Sequence, residues 1–405
     1  MSIPIPAKRI ATFEKKAYGM FIHYGLYSQL ACGEKTMDFN NIPLDEYVKL
    51  KDTFTAKSFD AKKIARFAKA SGMKYITLTA RHHDGFSLYD TKGLCDYDAV
   101  HSPAGRDLIR EFVGACNEEG IMPMLYHTTI DWYQSSYRDN FESYLQYLRD
   151  SVEILCTSYG RIGGFWFDGN WDRPNADWQE DQLYGLIRKY QPDAMIINNT
   201  GVDALGRAGH PELDSVTYEL GRPKPMKRDG APKYLAAEMC NTLNDHWGYA
   251  PEDFNYKSVA QMIETLCGCR KVGANYLLNI SPMGDGSIVP LQANMIESIG
   301  EWIKKCGKCI YDGKPSEIVG EDKNFALECH GKLYLFIFSL KTFIENRKSK
   351  YEYFQKLPGA VKQIKWTDNG ENVEFVQRDE HLWINATPFP YGKSYVVRVA
   401  EVELE

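Results

Sequence analysis

The sequence contains no long apolar stretch and no excess of positive charge. No segment approaches the roughly 18 consecutive apolar residues that cross a bilayer. The first residues, MSIPIPAKRIATFEKKAYGMF, lack the apolar core of a signal peptide. The net charge is −6, whereas a nucleic-acid-binding protein normally carries a basic stripe. We therefore expect a cytoplasmic protein with neither a membrane nor a nucleic acid as partner.

Signals for bound metals and nucleotides are also missing. No Gly-rich dinucleotide fingerprint follows the first strand-like segment, and neither His-x-His nor His-Glu-x-x-His occurs. The ten cysteines fit reduced, buried thiols better than a disulfide framework. Two close pairs, Cys267/Cys269 and Cys306/Cys309, lie in helix-like stretches, which argues against zinc knuckles. We expect no structural zinc and no cofactor.

Alternating strand-like and helical patterns dominate the first three quarters of the 405 residues. The clearest strand candidates are residues 18–26, 73–81, 121–129, 162–170 and 193–200. Looser candidates follow in SVTYELG, KYLAAEMCN and ANYLLNIS. Amphipathic helical runs such as SFDAKKIARFAKASG and FESYLQYLRDSVEILCTSYG separate them. This alternation predicts a parallel sheet covered by helices, and its persistence favours a (β/α) TIM-like barrel.

The pattern changes near residue 315. The remaining segments alternate in polarity, are punctuated by turn residues and include no convincing helix. They predict a small antiparallel β-sandwich. We therefore divide the chain into a catalytic barrel, residues 1–315, and a C-terminal β-sandwich, residues 316–405. No aromatic platform stands out in the second part, so we expect it to give structural support.

Polar residues collect where the predicted barrel strands end. The carboxyl-terminal ends of barrel strands surround the active site in this fold. The residues at these ends are His23, His82, His83, Asp84, Tyr126, His127, Asp168, Asn198, Asn199, Glu219, Glu238 and Asn279. Each alone has an ordinary structural explanation. A barrel without a ligand, however, gains nothing from so many ionisable groups at one mouth, where burial is costly.

Two chemistries could use this set. One is metal-assisted hydrolysis, with His23, His82, His127 and Asp168 as ligands. The other is glycoside hydrolysis by two carboxylates. The segment GFWFDGNW fits the second, because aromatic rings flank Asp168 and could stack on a sugar. A carbohydrate-binding protein without catalytic activity is a third possibility.

Five segments, in order, resemble glycoside hydrolase family 29, the retaining α-L-fucosidases. They are YGMFIHYGLYS, LTARHHDGFSLYDT, GFWFDGNW, EMCNTLNDHWGY and GANYLLNISPMGDGSI. The resemblance covers about residues 15–315. It implies a (β/α) barrel followed by a β-sandwich, a fucosylated oligosaccharide or glycoconjugate as substrate, and no metal. It leaves the oligomeric state open.

The resemblance also implies roles for individual residues. Asp168 corresponds to the nucleophile, and Glu34 to a glutamate that binds sugar hydroxyls. Arg207 matches an arginine between the fifth strand and the acid/base. The expected fucose contacts are His23, His82, His83, Tyr126 or His127, Trp166 and Trp247. Three positions depart from the family: Tyr24 and Ala237 each replace a tryptophan, and Lys35-Thr36 replace Trp-Tyr.

The acid/base has two candidates, because the family carries it in a variable loop. We favour Glu219, in VTYELGRP, over Glu238, in LAAEMCN. Glu238 could instead orient an arginine or Trp247. A second question concerns His82 and His83, because adjacent strand residues point to opposite faces. If both face the sugar, the strand end must break its alternation, for example through a bulge.

Overall fold

Eight parallel strands close into a barrel in which each strand pairs with its neighbours in the chain. The computed structural model describes residues 2–338, 340 and 350–405. The barrel strands are β1 (Tyr18–Ile22), β2 (Tyr75–Arg81), β3 (Met122–Thr128), β4 (Gly164–Asp168), β5 (Met195–Asn198), β6 (Ser215–Glu219), β7 (Ala236–Asn241) and β8 (Asn275–Ile280). Each lies within one of the eight segments predicted from the sequence. The predicted fold class is confirmed.

Helices occupy the connections between the strands. They are α1 (Lys8–Glu14), α2 (Tyr27–Leu30), α3 (Thr36–Phe39), α4 (Leu44–Tyr47), α5 (Ala61–Ala70), α6 (Leu108–Glu119), α7 (Ser136–Asp139), α8 (Phe141–Ser158), α9 (Glu180–Tyr190), α10 (Val259–Lys271) and α11 (Pro290–Cys306). Asp60 caps α5 by accepting a hydrogen bond from the Lys63 amide, as its position before the apolar run predicts. None of the helices in the described residues is long and apolar enough to cross a membrane.

Large side chains fill the barrel interior. Phe21, Tyr75, Tyr126, Trp166 and Leu277 are buried in one apolar cluster contributed by β1, β2, β3, β4 and β8. Such layers make a TIM-type barrel a packed core rather than a pore. The cluster therefore fills the barrel interior directly below the residues at the carboxyl-terminal ends of the strands.

Contacts divide the chain into two compact units. The barrel unit comprises residues 1–257 and 275–294, and the C-terminal unit comprises residues 258–274 and 295–405. The boundary at residue 315, drawn from the sequence pattern, stays a prediction. All eight barrel strands belong to the barrel unit.

The C-terminal unit contains eight antiparallel strands in one hydrogen-bonded series, ordered β13-β16-β11-β10-β9-β12-β15-β14. They are β9 (Lys314–Gly320), β10 (Phe325–Cys329), β11 (Lys332–Ile337), β12 (Lys350–Gln355), β13 (Val361–Trp366), β14 (Phe375–Arg378), β15 (His381–Ala386) and β16 (Arg398–Leu404). An isolated bridge between Lys365 and Asn372 almost closes the series. Residues 341–349, part of the predicted sandwich, lie outside the described residues.

Candidate active site

A cavity of about 420 Å³ opens at the carboxyl-terminal ends of the barrel strands. Nine of the residues expected to act on the substrate line it: His23, Glu34, His82, His83, Tyr126, Trp166, Asp168, Glu219 and Trp247. They come from six strands or the loops that follow them, so distant parts of the chain meet here. This is the position at which TIM-type barrels carry their active sites.

Asp168 ends β4, accepts hydrogen bonds from three neighbouring side chains and lies close to a fourth. Its Oδ1 accepts hydrogen bonds from Trp171 Nε1 at 2.8 Å and from Asn199 Nδ2 at 3.2 Å. Its Oδ2 accepts one from the Tyr126 hydroxyl at 3.0 Å, and His83 Nε2 lies 3.5 Å from the same oxygen. The three donors Trp171, Asn199 and Tyr126 fix the orientation of this carboxyl group, which borders the cavity.

Glu219 ends β6 and also faces the cavity. Its Oε2 accepts a 2.7 Å hydrogen bond from Asn199 Nδ2, the nitrogen that also donates to Asp168. Burial, and then the negative charge of Asp168, raises the pKa of Glu219 to about 7. A carboxyl group in this state can donate a proton near neutral pH.

Glu238 lies below the cavity rather than in its wall. The register of β6 and β7 pairs Glu219 with Cys240, which places Glu238 two residues deeper in the barrel, or about 7 Å. Its oxygens accept hydrogen bonds from the Tyr75 hydroxyl at 2.6 Å and from Trp166 Nε1 at 2.9 Å. Glu238 therefore orients Trp166, not Trp247 or an arginine as the sequence reading proposed.

Both adjacent histidines line the cavity, and the expected irregularity is present. The register between β2 and β3 shifts between Thr79 and Arg81, and His82 and His83 follow in a turn. Their ring centroids are 4.3 Å apart. Loss of the regular alternation lets two consecutive side chains reach the same space.

The cavity histidines are neutral at pH 7. Burial lowers the pKa of His23 and of His83 to about 4, and it lowers the pKa of His82 well below its usual value. Asn279 donates from Nδ2 to the Trp247 carbonyl, so its Oδ1 accepts a 2.7 Å hydrogen bond from His23 Nδ1. The remaining ring nitrogen of His23, Nε2, is then a hydrogen-bond acceptor.

Glu34 ties two loops of the mouth together. Its Oε2 accepts hydrogen bonds from the backbone amides of Trp247 at 3.2 Å and Gly248 at 2.9 Å. The Gly248 backbone approaches so closely that a Cβ there would lie 2.5 Å from the Glu34 amide nitrogen. The Glu34 carboxylate thus positions Trp247 as well as lining the cavity.

Two residues expected at the substrate lie elsewhere, which corrects the sequence interpretation. His127 points away from the cavity because it follows the inward-facing Tyr126 on a regular strand. It packs against Phe167 and is paired with the Thr128 carbonyl and the Tyr89 hydroxyl. Arg207 is exposed in the loop after β5 and does not line the cavity.

Sequence reasoning missed three important residues. Trp171 and Lys35 both line the cavity, and the Lys35 ammonium lies 4.9 Å from the centroid of the Trp171 ring. Asn199 was noted only as a polar strand end, yet it contacts both carboxylates. Trp171 follows Asp168 by three residues in the turn Asn170–Asp172, and this short spacing is the signal that could have revealed it.

The ligand set considered for a metal is not assembled. His127 is outside the cavity, as described above. Within residues 2–338, 340 and 350–405, no three or more His, Cys, Asp or Glu side chains are grouped to hold a metal ion. The ten cysteines are all free thiols.

A family model, a curated relative and a solved structure that resemble this chain all concern the same family of enzymes. Residues 6–308 match the family model described as alpha-L-fucosidase. The tissue alpha-L-fucosidase of Bos taurus is 25% identical over 412 residues, which cover 91% of this chain and 83% of the relative. Alpha-L-fucosidase isoenzyme 1 from Paenibacillus thiaminolyticus is similar in structure, with a TM-score of 0.86, 32% identity and coverage of 98% of this chain and 99% of that chain.

A third comparison concerns an alpha-L-fucosidase from Bacteroides thetaiotaomicron, solved as a trapped covalent intermediate with 2-fluoro-fucosyl fluoride. Its TM-score is 0.84 at 23% identity, and the similarity covers 100% of this chain and 97% of that chain. At this identity the likeness supports the fold. Because the family match spans three quarters of the 405 residues, the chain belongs to the α-L-fucosidases, glycoside hydrolase family 29, and is a glycoside hydrolase.

Proposed function

We propose that the protein is a retaining exo-α-L-fucosidase that removes terminal α-L-fucosyl residues from glycans or glycoconjugates. Asp168 is the nucleophile and Glu219 the acid/base. The observation that carries this proposal is the shared contact with Asn199. One amide nitrogen donates to oxygens of both carboxyl groups, at 3.2 and 2.7 Å, so these oxygens are at most about 5.9 Å apart. Retaining glycosidases need a separation of roughly 5–5.5 Å.

In the first step, a carboxylate oxygen of Asp168 forms a bond to the anomeric carbon as the bond to the leaving oxygen breaks. Glu219 supplies the proton that the leaving oxygen takes up. Asn199 Nδ2 already donates to Glu219 Oε2, so the proton belongs on Oε1. That oxygen has no hydrogen-bond partner among the described residues and is free to reach the substrate.

In the second step, the Glu219 carboxylate takes a proton from water, and the oxygen of that water attacks the anomeric carbon. The ester bond to Asp168 breaks, which releases fucose and regenerates both groups. Esterification removes the negative charge of Asp168, one of the two main causes of the raised pKa of Glu219. The same glutamate therefore becomes more acidic when it has to act as a base.

The sugar-binding wall consists of neutral imidazoles and aromatic rings. His83 Nε2 and His82 Nδ1 are buried and have no hydrogen-bond partner within the described part of the chain, so hydroxyl groups of a bound sugar would satisfy them. The Phe21 ring packs against Trp166 and Trp247, at centroid distances of 5.1 and 5.7 Å. We assign this aromatic surface to the methyl group of fucose, because burial of a methyl group against aromatic rings is favourable.

Covalent trapping tests the assignment. The enzyme would be incubated with 2-fluoro-fucosyl fluoride, digested and analysed by mass spectrometry. We expect one 2-fluorofucosyl group on the peptide that contains FDGN, because the fluorine slows hydrolysis of the ester at Asp168. The Asp168→Asn variant should remain unlabelled. A label on another peptide, or continued turnover without any label, would refute double displacement through Asp168.

A further inference from the structure

Two neighbouring strands of the C-terminal unit, β12 and β15, carry aromatic side chains on the face turned away from its core, and β14 lies beside them. Burial alternates along β12 and β15. Phe354, Leu382 and Ile384 belong to the core cluster. Tyr353, His381 and Trp383 take the intervening positions and are only partly buried. We call the outward side of β12, β15 and β14 the aromatic face.

The rings of this face lie close together, with the Tyr353 and His381 rings nearly parallel and the Trp383 ring tilted against both. Tyr353 is paired directly with Trp383, and their centroids are 5.2 Å apart. The His381 ring lies 5.9 Å from Tyr353 with an interplanar angle of 11°, and its Nδ1 is 2.6 Å from the Tyr353 hydroxyl. Tyr351, two residues before Tyr353, is 53% exposed. The ring faces are thus fixed in position before any ligand arrives.

Cross-strand ring pairs also stabilise sheets without binding anything, so the surrounding groups matter. Val376 and Arg378 of β14 pair with Trp383 and His381, and both are exposed. Gln355 follows on β12 with the same outward direction. Neither the Arg378 nor the Gln355 side chain has a hydrogen bond or ion pair among the described residues. The rings are therefore bordered by free hydrogen-bonding groups.

We propose that the aromatic face binds the glycan part of the substrate, as a second site separate from the cavity of the barrel. The apolar faces of neutral pyranose rings would stack on Tyr353 and Trp383, and Arg378 and Gln355 would hydrogen-bond to their hydroxyl groups. A protein partner fits less well, because Val376 is the single aliphatic side chain among these outward residues of β12, β14 and β15. The choice of a glycan rests on the proposed function, whereas the geometry of the face does not.

Calorimetric titration with N-acetyllactosamine, which contains no fucose, tests this site in the full chain. We expect measurable binding by the wild type and a Kd about tenfold weaker for the double variant Tyr353→Ala/Trp383→Ala. Tyr391→Ala is the matched control, because Tyr391 is 76% exposed in the same unit but outside the aromatic face. Hydrolysis of 4-nitrophenyl α-L-fucoside should be unchanged in every variant, since that small substrate needs only the cavity.

The single variant Arg378→Ala provides a second measurement if the double variant does not fold, because Arg378 is exposed and makes no side-chain hydrogen bond or ion pair with the residues that the structure describes. We expect weaker binding with an unchanged melting temperature. Absence of binding by the wild type, or unchanged binding in Arg378→Ala, would overturn the proposal. Glycan binding without any fucoside turnover would instead leave this site intact and refute the proposed function of the barrel.

Discussion

The mouth of the barrel and the layer of side chains beneath it each hold one buried glutamate. Burial raises the pKa of both Glu219 and Glu238 to about 7. Glu219 keeps one oxygen free toward the cavity and lies near the charge of Asp168. Glu238 has both oxygens engaged by neutral donors, Tyr75 and Trp166. The two carboxyl groups have similar pKa values, but only Glu219 has an oxygen that a substrate in the cavity can reach.

This difference shows how a raised pKa should be used to locate a catalytic acid. Desolvation by itself raises the pKa of Glu238, so a raised pKa marks a structural carboxyl group as well as a catalytic one. A catalytic role also requires an oxygen within reach of the substrate. Glu219 meets both conditions, whereas Glu238 meets only the first. Four predictions challenge this comparison, in decreasing order of expected effect.

The largest effect is expected for Asp168→Gly at the mouth. Loss of the nucleophile should lower kcat for 4-nitrophenyl α-L-fucoside by about 10⁴-fold, because no covalent ester can form. Azide should restore part of the activity by entering the vacated space, which release of nitrophenol would measure. The matched control is Asp193→Gly, an exposed position before β5. Near-normal activity of Asp168→Gly would disprove the mechanism.

The two glutamates should respond differently to the same substitution. Glu219→Gln should reduce kcat/KM by about 10³-fold for fucosides with poor leaving groups, and much less for activated aryl fucosides, which need little protonation. Glu238→Gln should show no dependence on the leaving group, since it acts only through Trp166. A series of aryl fucosides measures this slope. A steep slope for Glu238→Gln alone would reverse the assignment.

Asn199 should affect the pH dependence of kcat/KM through the pKa of Glu219. Glu219 must be protonated to act as an acid, so kcat/KM of the wild type should fall as the pH rises through about 7. The Asn199 amide stabilises the ionised carboxylate, and Asn199→Ala should therefore raise its pKa and move the alkaline limb to higher pH. The maximum should drop about tenfold. A limb that stays in place or moves to lower pH would contradict this role.

The smallest effect on activity is expected for Glu238→Gln, in the layer of side chains beneath the mouth of the barrel. The pKa of Glu238 rises from 4.5 to about 7 on folding, so its contribution to stability is full below pH 4.5 and is lost as the pH passes 7. Glutamine does not titrate. The free energy of unfolding of Glu238→Gln, relative to that of the wild type, should therefore increase by on the order of 2 kcal/mol from pH 5 to pH 8. Urea titrations would measure it, and a difference independent of pH would show that Glu238 is ionised in the fold.

Much of the fold was readable because parallel barrel strands are buried on both faces and appear as continuous apolar runs. All eight strands and the main helices were located in this way. The position of Asp168 at the end of such a run, between aromatic residues, also pointed to the cavity. His127 was misplaced although strand alternation alone separates it from Tyr126. Arg207 could not be placed, because a loop position carries no such periodic signal.

Other features had no local signal at all. Tyr353 and Trp383 are thirty residues apart and become neighbours only through antiparallel pairing, so the aromatic face could not be recognised from composition. The double contact of Asn199 likewise depends on the distance between the ends of β4 and β6. Contacts of this kind arise from register and not from the order of residues.

The sequence by itself determined the alternation of strands and helices, the family, and the carboxylate at the end of the fourth strand. Periodicity and motifs are properties of residues that are close in the sequence, so they can be recognised without a three-dimensional structure. The tertiary structure decided which of two glutamates reaches the cavity. Because Glu219 pairs with Cys240, Glu238 lies two residues deeper in the barrel. At that depth Glu238 is enclosed by other side chains, whereas Glu219 borders the cavity and can reach a substrate.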